Sequence, residues 1–228
     1  MTNEGIRGSS ASAFLSCPAY GAWKGLPEAH SGPVHCGTLC GSMAHGLVTG
    51  HKYEMPKAVT WDGDTQSLND LEWQSASIAK AAERWLDDAK IIDREIEMQV
   101  DGITGHIDLV IERDGCVSIV DLKTGHRKPG SATWTQLAVY SWMHDRLARE
   151  TESVEADYVV CLWIPRVRRG SIEQPVHPYT RDALPMAEMG RRLAERAIAA
   201  SNTPEITIPG DHCRYCGIDG CSMRMEGV

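Results

Sequence analysis

The chain has 228 residues, 42% of them hydrophobic and 24% charged, with a formal net charge of −8. That balance describes a globular protein with material for a real core, and argues against one that coats a polyanion non-specifically. It has no internal repeat or low-complexity tract, and no apolar run approaches the ~18 residues of a membrane span. The opening stretch MTNEGIRGSSASAF lacks the basic-then-apolar layout of a secretion signal, so a cytoplasmic placement with reduced thiols is expected. The eight cysteines then read as metal ligands or buried thiols rather than disulfides.

In chain order, Ser9 or Ser10 caps a short helix through Ala11–Ser16, which Cys17-Pro18 ends. Residues 25–36, rich in Gly, Pro and His, read as loop, and a short helix follows around Thr38–Leu47. Residues 69–90 carry Leu71, Ile78, Ala82, Trp85 and Leu86 at helical spacing. Strands are expected at 93–100, 104–112, 116–123 and 156–164, with a helix at about 132–148 between the last two and another over 181–200. Helices, a strand meander, then helix–strand–helix predict an α/β fold of α+β-like character, a mixed central sheet flanked by helices. The tail from Pro209 is too small for a core of its own, so residues 1–228 are expected to form one domain.

The meander carries the chemistry. Asp114-Gly115 is a strong two-residue hairpin turn, which pairs Arg113 with Cys116 and sets Asp108 directly across from Asp121. One face then holds Ile107, Leu109, Ile111, Val120 and Leu122, and the other holds Asp108, Asp121 and Lys123. Two opposed carboxylates repel unless positive charge lies between them. Lys123 supplies one charge; a divalent cation would supply two more, and an all-oxygen pair suits Mg²⁺ or Mn²⁺. Such an ion can polarise a phosphoryl oxygen and activate water, with the lysine orienting or deprotonating that water. A surface hairpin with an ordinary Asp–Lys pair is the alternative.

"GHIDLVIERDGCVSIVDLKTG" resembles the core motif of the PD-(D/E)xK nucleases, in particular the RecB-type branch: a Gly-x-x-Asp strand, then Asp-x-Lys-Thr-Gly. "QLAVYSW" is similar to that branch's Gln-x-x-x-Tyr motif and places Gln136 and Tyr140 one helical turn apart. "GSMAHGL" resembles the helix from which the branch sends a histidine to the metal, which nominates His45. In related nucleases an acid before the Gly-x-x-Asp strand also helps; Glu95 and Glu97 both fit that place. The resemblance implies a restriction-endonuclease-like fold and a nuclease acting on DNA, with basic lining from Arg127, Lys128, Arg166, Arg168 and Arg169, and Trp134 or Trp163 stacking on bases.

"DHCRYCGIDGCSM" gathers Cys213, Cys216 and Cys221, a thiolate set that needs a fourth ligand. The sequence resembles RecB-type nucleases with an iron–sulfur clasp, AddB and the CRISPR-associated exonucleases among them, which carry an early Cys-Pro. That implies Cys17 as the fourth ligand of a [4Fe–4S] cluster tying 9–20 to 209–223. The last triad spacing is one residue shorter than is common there. Zn²⁺ with His212, Cys36 or Cys40 is the alternative, while Cys116 and Cys161 read as buried thiols. Related phage-type proteins share the "GSMAHGL" and "HCRYC" pieces. The expected function is therefore a metal-dependent DNA exonuclease in recombination, repair or phage replication, acting on free DNA ends, with a recombination or replication protein as partner. An inactive DNA-binding or assembly module and a restriction-type endonuclease are the alternatives.

Overall fold

A computed structural model describes residues 6–26, 29, 32–63, 65–168, 171, 174–218 and 221. Strand β1 (Ile6–Arg7) leads through a 3-10 turn at Gly8–Ser10 into helices α1 (Ala11–Ser16) and α2 (Pro18–Lys24). The two-residue strand β2 (Val34–His35) precedes α3 (Cys36–Thr49), and β3 (Val59–Thr60) precedes α4 (Leu68–Leu86). The meander follows as β4 (Lys90–Val100), β5 (Ile103–Arg113) and β6 (Cys116–Lys123). Helix α5 (Ser131–Thr151) crosses over to β7 (Tyr158–Trp163), then come β8 (His177–Asp182), α6 (Ala183–Ser201) and a 3-10 turn at Asp211–Tyr215.

Both hairpin turns of the meander are Asp-Gly pairs with positive φ at both residues, 47° and 81° at Asp101-Gly102 and 53° and 77° at Asp114-Gly115. That backbone twist matches the twist of the flanking strands. It fixes the register, with Arg113 opposite Cys116 and Leu109 opposite Val120, as the sequence predicts. β4 pairs antiparallel along one edge of β5. The other edge of β5 is shared: β1 runs parallel to Ile103–Thr104, and β6 runs antiparallel to Leu109–Arg113. β7 is parallel to β6 across the α5 crossover, and β8 is antiparallel to β7. The result is a mixed α/β fold, a central mixed sheet flanked by helices.

Both faces of the sheet are buried. α3 and α4 cover Leu109, Ile111, Val120, Leu122, Val160 and Leu162. α1, α5 and α6 cover Ile103, Ile107, Val110 and Ile119. Ile107 therefore packs on the face opposite Leu109, and the single core face expected to hold both does not exist. Strict alternation would put 107 and 109 together; the inside–outside pattern of β5 shifts by one residue at Asp108, where the strand changes partner from β1 to β6.

Other differences have local causes. The helix expected over 69–90 stops at Leu86, and Lys90 already pairs with Glu112 in β4. Pro18 does end α1, but it also occupies the first turn of α2, where its missing N–H has no bond to lose. β8 lies at a sheet edge, five of its six residues exposed or polar, and lacks the hydrophobic alternation that marks a strand. Among the described residues, no helix is long and apolar enough to cross a membrane.

Candidate active site

The backbone ladder between β5 and β6 ends at Leu109–Val120. One pair further on are Asp108 and Asp121, and here a side chain replaces the backbone acceptor: the Leu122 N–H donates to Asp108 Oδ2 at 2.7 Å. The carboxylates are buried, with side-chain exposures of 9% and 3%. From α3, His45 brings Nδ1 to 3.5 Å from Asp108 Oδ2, while its Nε2 lies 2.8 Å from the Leu122 carbonyl. A carbonyl only accepts, so Nε2 carries a proton, and Nδ1 faces Asp108, whose charge favours a second proton there until a cation replaces it. The Lys123 ammonium is 2.7 Å from Asp121 Oδ2 but off the hydrogen-bond direction, leaving that buried oxygen a counter-charge and no donor.

Gln136, on the first turns of α5, donates from Nε2 to Asp121 Oδ1 at 3.3 Å. Tyr140 lies one turn further and bonds to Gln136 and the His106 backbone. Its ring lies across β1 and β5: a Cβ at Gly105 would stand 2.9 Å from Tyr140 Cε1, and one at Gly8 only 2.7 Å. The glycine of the Gly-x-x-Asp strand is thus the space that the α5 tyrosine fills.

The charges oppose one another. Burial works to raise the Asp108 pKa, but His45, Lys123 and the Leu122 N–H outweigh it and hold it below the usual carboxylate range. For Asp121, burial and the Asp108 charge prevail over Lys123, and its pKa is raised. Burial would lower the pKa of Lys123, but Asp121 and Asp108 raise it, so the amine stays protonated. Asp108 likewise raises His45 against its burial. Two carboxylates and an imidazole nitrogen are ligands a hard divalent cation takes, so His45, Asp108 and Asp121 are the residues that would hold one, with donor atoms that here do not all lie within 4.8 Å of one another.

The site opens into a cleft of about 1090 Å³ lined by His45, Glu95, His106, Asp108, Lys123 and the 51–56 loop, among others. Glu95, which sequence reasoning could not separate from Glu97, lines it, while Glu97 is exposed on β4. Glu95 sits in the left-handed region at φ 52°, and its Oε2 meets His106 Nε2 at 3.0 Å and His51 Nδ1 at 3.6 Å. No sequence period signals that backbone kink.

The basic residues divide. Arg127 and Lys128 are exposed on the loop after β6, and Arg168 is exposed after β7. Arg166 is the exception: its side chain is 3% exposed, donating to Asp62 Oδ2 at 2.9 Å and Thr65 Oγ1 at 3.2 Å, with His126 Nε2 at 2.7 Å. It ties three loops together instead of offering a free charge. Its guanidinium also supplies the cation among His35, Cys36 and Asp62, whose donor atoms lie within 4.8 Å of one another. Arg169 lies outside the described residues.

Cys17, Cys213, Cys216 and Cys221 line one small cavity with Thr207, Ile208, His212 and Ile218, none of which lines the cleft. Cys36 and Cys40 are instead core residues beneath α4. Cys161 is fully buried and Cys116 half-buried in their strands.

No curated protein is significantly similar to the chain in sequence. Among solved structures, a protein of Eubacterium rectale described as a candidate exonuclease is 14% identical, over 93% of this chain and 88% of that one, with a TM-score of 0.61. That likeness concerns the fold. An alkaline exonuclease from Laribacter hongkongensis is 10% identical over 76% of this chain and 90% of that one, at a TM-score of 0.37. A structure named SSO0001 is 18% identical over 64% of this chain, which spans 66% of that one, at a TM-score of 0.35. The sequence profile of the PD-(D/E)XK nuclease superfamily matches residues 9–221. The fold and the Asp-x-Lys strand end already described are thus those of a known family, and the chain belongs to the PD-(D/E)XK nuclease superfamily.

Proposed function

We propose that the chain is a Mg²⁺- or Mn²⁺-dependent DNA exonuclease of the RecB-type branch, serving recombination, repair or phage replication. The observation that carries this reading is the contact of His45 Nδ1 with Asp108 and of a protonated Lys123 with Asp121, two buried carboxylates on neighbouring strands, with His45, Asp108 and Lys123 lining an open cleft. A divalent cation held by His45, Asp108 and Asp121 would polarise a phosphoryl oxygen and lower the pKa of a bound water. Lys123, kept protonated by its two acidic neighbours, orients the water and offsets charge growing on the phosphoryl oxygens; it is a donor here, not a base. Gln136 holds Asp121 in orientation, and Tyr140 holds Gln136. The attacking water gives a proton to bulk solvent, the resulting hydroxide adds to phosphorus as the ester P–O bond breaks, and the departing alkoxide takes a proton from solvent. Arg127, Lys128 and Arg168 meet phosphates around the cleft.

In the same reading, Cys17, Cys213, Cys216 and Cys221 ligate a [4Fe–4S] cluster that clasps 9–20 to 209–223 within a single domain. Their shared cavity supports it, as does the Ile208 N–H, 3.4 Å from Cys17 Sγ, a bond that suits a thiolate ligand. A tetrahedral zinc would bring its sulfurs to about 3.8 Å from one another. Among the described residues only His35, Cys36 and Asp62 bring three donor atoms within 4.8 Å, so the four thiols, like His45, Asp108 and Asp121, stand wider than a single bound ion would hold them.

The test is anaerobic purification with metal analysis, then digestion of end-labelled linear DNA with Mg²⁺ or Mn²⁺. Progressive loss of label, abolished in Asp121→Ala while DNA binding persists, is expected. No cation-dependent cleavage would favour the binding module, and cutting of closed circular DNA at a fixed site would favour the restriction-type enzyme.

A further inference from the structure

The pleat of β6, β7 and β8 lines up a row of side chains that begins at the catalytic lysine. Lys123 pairs with Trp163, and Trp163 with His177; one step back on the same face lie Asp121, Cys161 and Tyr179, and beyond them Ile119, Val159 and Arg181. Trp163 stacks on His177, with centroids 4.9 Å apart at 27°, and approaches Tyr179 at 6.5 Å and 26°. Lys128 places its ammonium 4.8 Å from the Tyr179 ring centre. Arg181 lies 4.0 Å from the centre of Trp134, which stands on the first turn of α5 close to Gln136. The Trp163 indole N–H donates to the Gly125 carbonyl at 2.7 Å, pinning the loop between Lys123 and Lys128.

Core packing explains only part of this group: Tyr179 and Trp134 are partly buried against Leu137, Ala138, Val159, Cys161, Ala183 and Met186. His177, Lys128 and Arg181 are exposed, and β8 is an edge strand, so the outer end of the row faces solvent. Rings interleaved with cations, in a chain of net charge −8, complement an aromatic polyanion. A duplex keeps its base faces stacked inside, out of reach of such rings; only an unpaired strand presents them. Since Trp163 is one strand spacing, about 4.8 Å, from Lys123, a strand stacked here ends at the cleft.

We propose that the Trp163–His177–Tyr179 stack, with Trp134, Lys128 and Arg181, is a track for single-stranded DNA that delivers the strand end to Lys123. The inference deepens the nuclease reading and rests on it, by assigning the strandedness of the substrate at the site. Bases stack on the rings, and Lys128 and Arg181 meet phosphates.

The experiment measures anisotropy of a fluorescent oligo(dT) strand and of a blunt duplex with the as-purified protein and no added divalent cation. The wild type should bind the strand at least about tenfold more tightly than the duplex, and His177→Ala should weaken strand binding about five- to tenfold. Because His177 is exposed, its loss does not threaten folding, which circular dichroism checks. Lys128→Ala and Arg181→Ala should also weaken binding, and each should lower the slope of log affinity against log salt by about 0.7, whereas His177→Ala should leave that slope unchanged. Equal binding of strand and duplex, or three variants that bind the strand like wild type, overturns the track. Strand binding through these residues by a protein that hydrolyses nothing with Mn²⁺ upholds the track and overturns the nuclease reading instead.

Discussion

The Asp121 carboxylate, 3% exposed, has the Lys123 ammonium beside one oxygen and only a long bond from Gln136 at the other. Burial and Asp108 raise its pKa despite Lys123. A carboxylate placed for stability alone would have its pKa lowered, as Asp108 does. Replacing Asp121 with Asn therefore removes an unfavourable buried charge, and Lys123, 30% exposed, can hydrate. Asp121→Asn is expected to lower cation-dependent DNA cleavage on the order of 10³-fold while leaving chelator-treated protein as stable as wild type or more so. The sign with pH follows. A raised folded pKa gives stability that is present below the unfolded value and lost as pH rises, so the Asn variant's advantage should grow from acid toward neutral pH. Urea unfolding at several pH values reads it; a variant less stable than wild type at neutral pH would make Asp121 a structural ion-pair member. At this scale much was legible. The turn residues fixed a register that brings Asp108 to Asp121, and Lys123 follows from the two-residue period. Glu95 and Arg166 were not legible: one depends on a left-handed residue, the other on a buried partner in a distant loop, and neither leaves a local pattern.

Among the elements, α5 and α6 pack backbone against backbone at Gly190. A Cβ at Gly190 would lie 1.9 Å from the Ala138 carbonyl oxygen and 2.4 Å from its carbon, both backbone atoms that cannot swing aside. In an exposed helix interior, Gly→Ala would stabilise by about 1 kcal/mol. Here the overlap wins, and Gly190→Ala is expected to cost about 2–3 kcal/mol by denaturant unfolding, as overpacking does. A stabilised variant would mean that the helices stand further apart. The consequence reaches the site, since α5 carries Gln136 and Tyr140 and α6 presses it onto the sheet. Helix α5 was readable from its long period, as α3, α4 and α6 were. The parity shift at Asp108 was not, because it arises from β5 changing partners, and partner strands are not written in a strand's own alternation. β8 was hidden for a related reason: its residues serve an exposed face, so polar and aromatic side chains replace the apolar rhythm.

Across the whole molecule, the early and late segments meet. The Ala19 N–H donates to the Ile206 carbonyl at 3.1 Å, His212 stacks on Tyr20 at 5.1 Å, and Trp23 covers Gly217. These contacts bring Cys17, at the break between α1 and α2, to the cavity of the late triad, which no sequence spacing near either end could specify. If a cluster joins the four thiols, it closes a loop of nearly 200 residues, for which chain entropy gives about 5 kcal/mol. If the thiols are merely buried, Cys17→Ala removes one sulfur, worth about 1 kcal/mol. These sizes are far enough apart to decide. Cys17→Ala is expected to lose the visible absorbance of the cluster and several kcal/mol of stability, with unfolding beginning at the α1–α2 end in hydrogen exchange. Cys161→Ala, a buried thiol outside the clasp, supplies the scale for simple loss of a sulfur. A Cys17→Ala protein that falls only as far as Cys161→Ala, with its absorbance unchanged, would remove the cluster from the molecule and leave the two segments held by packing and hydrogen bonds alone.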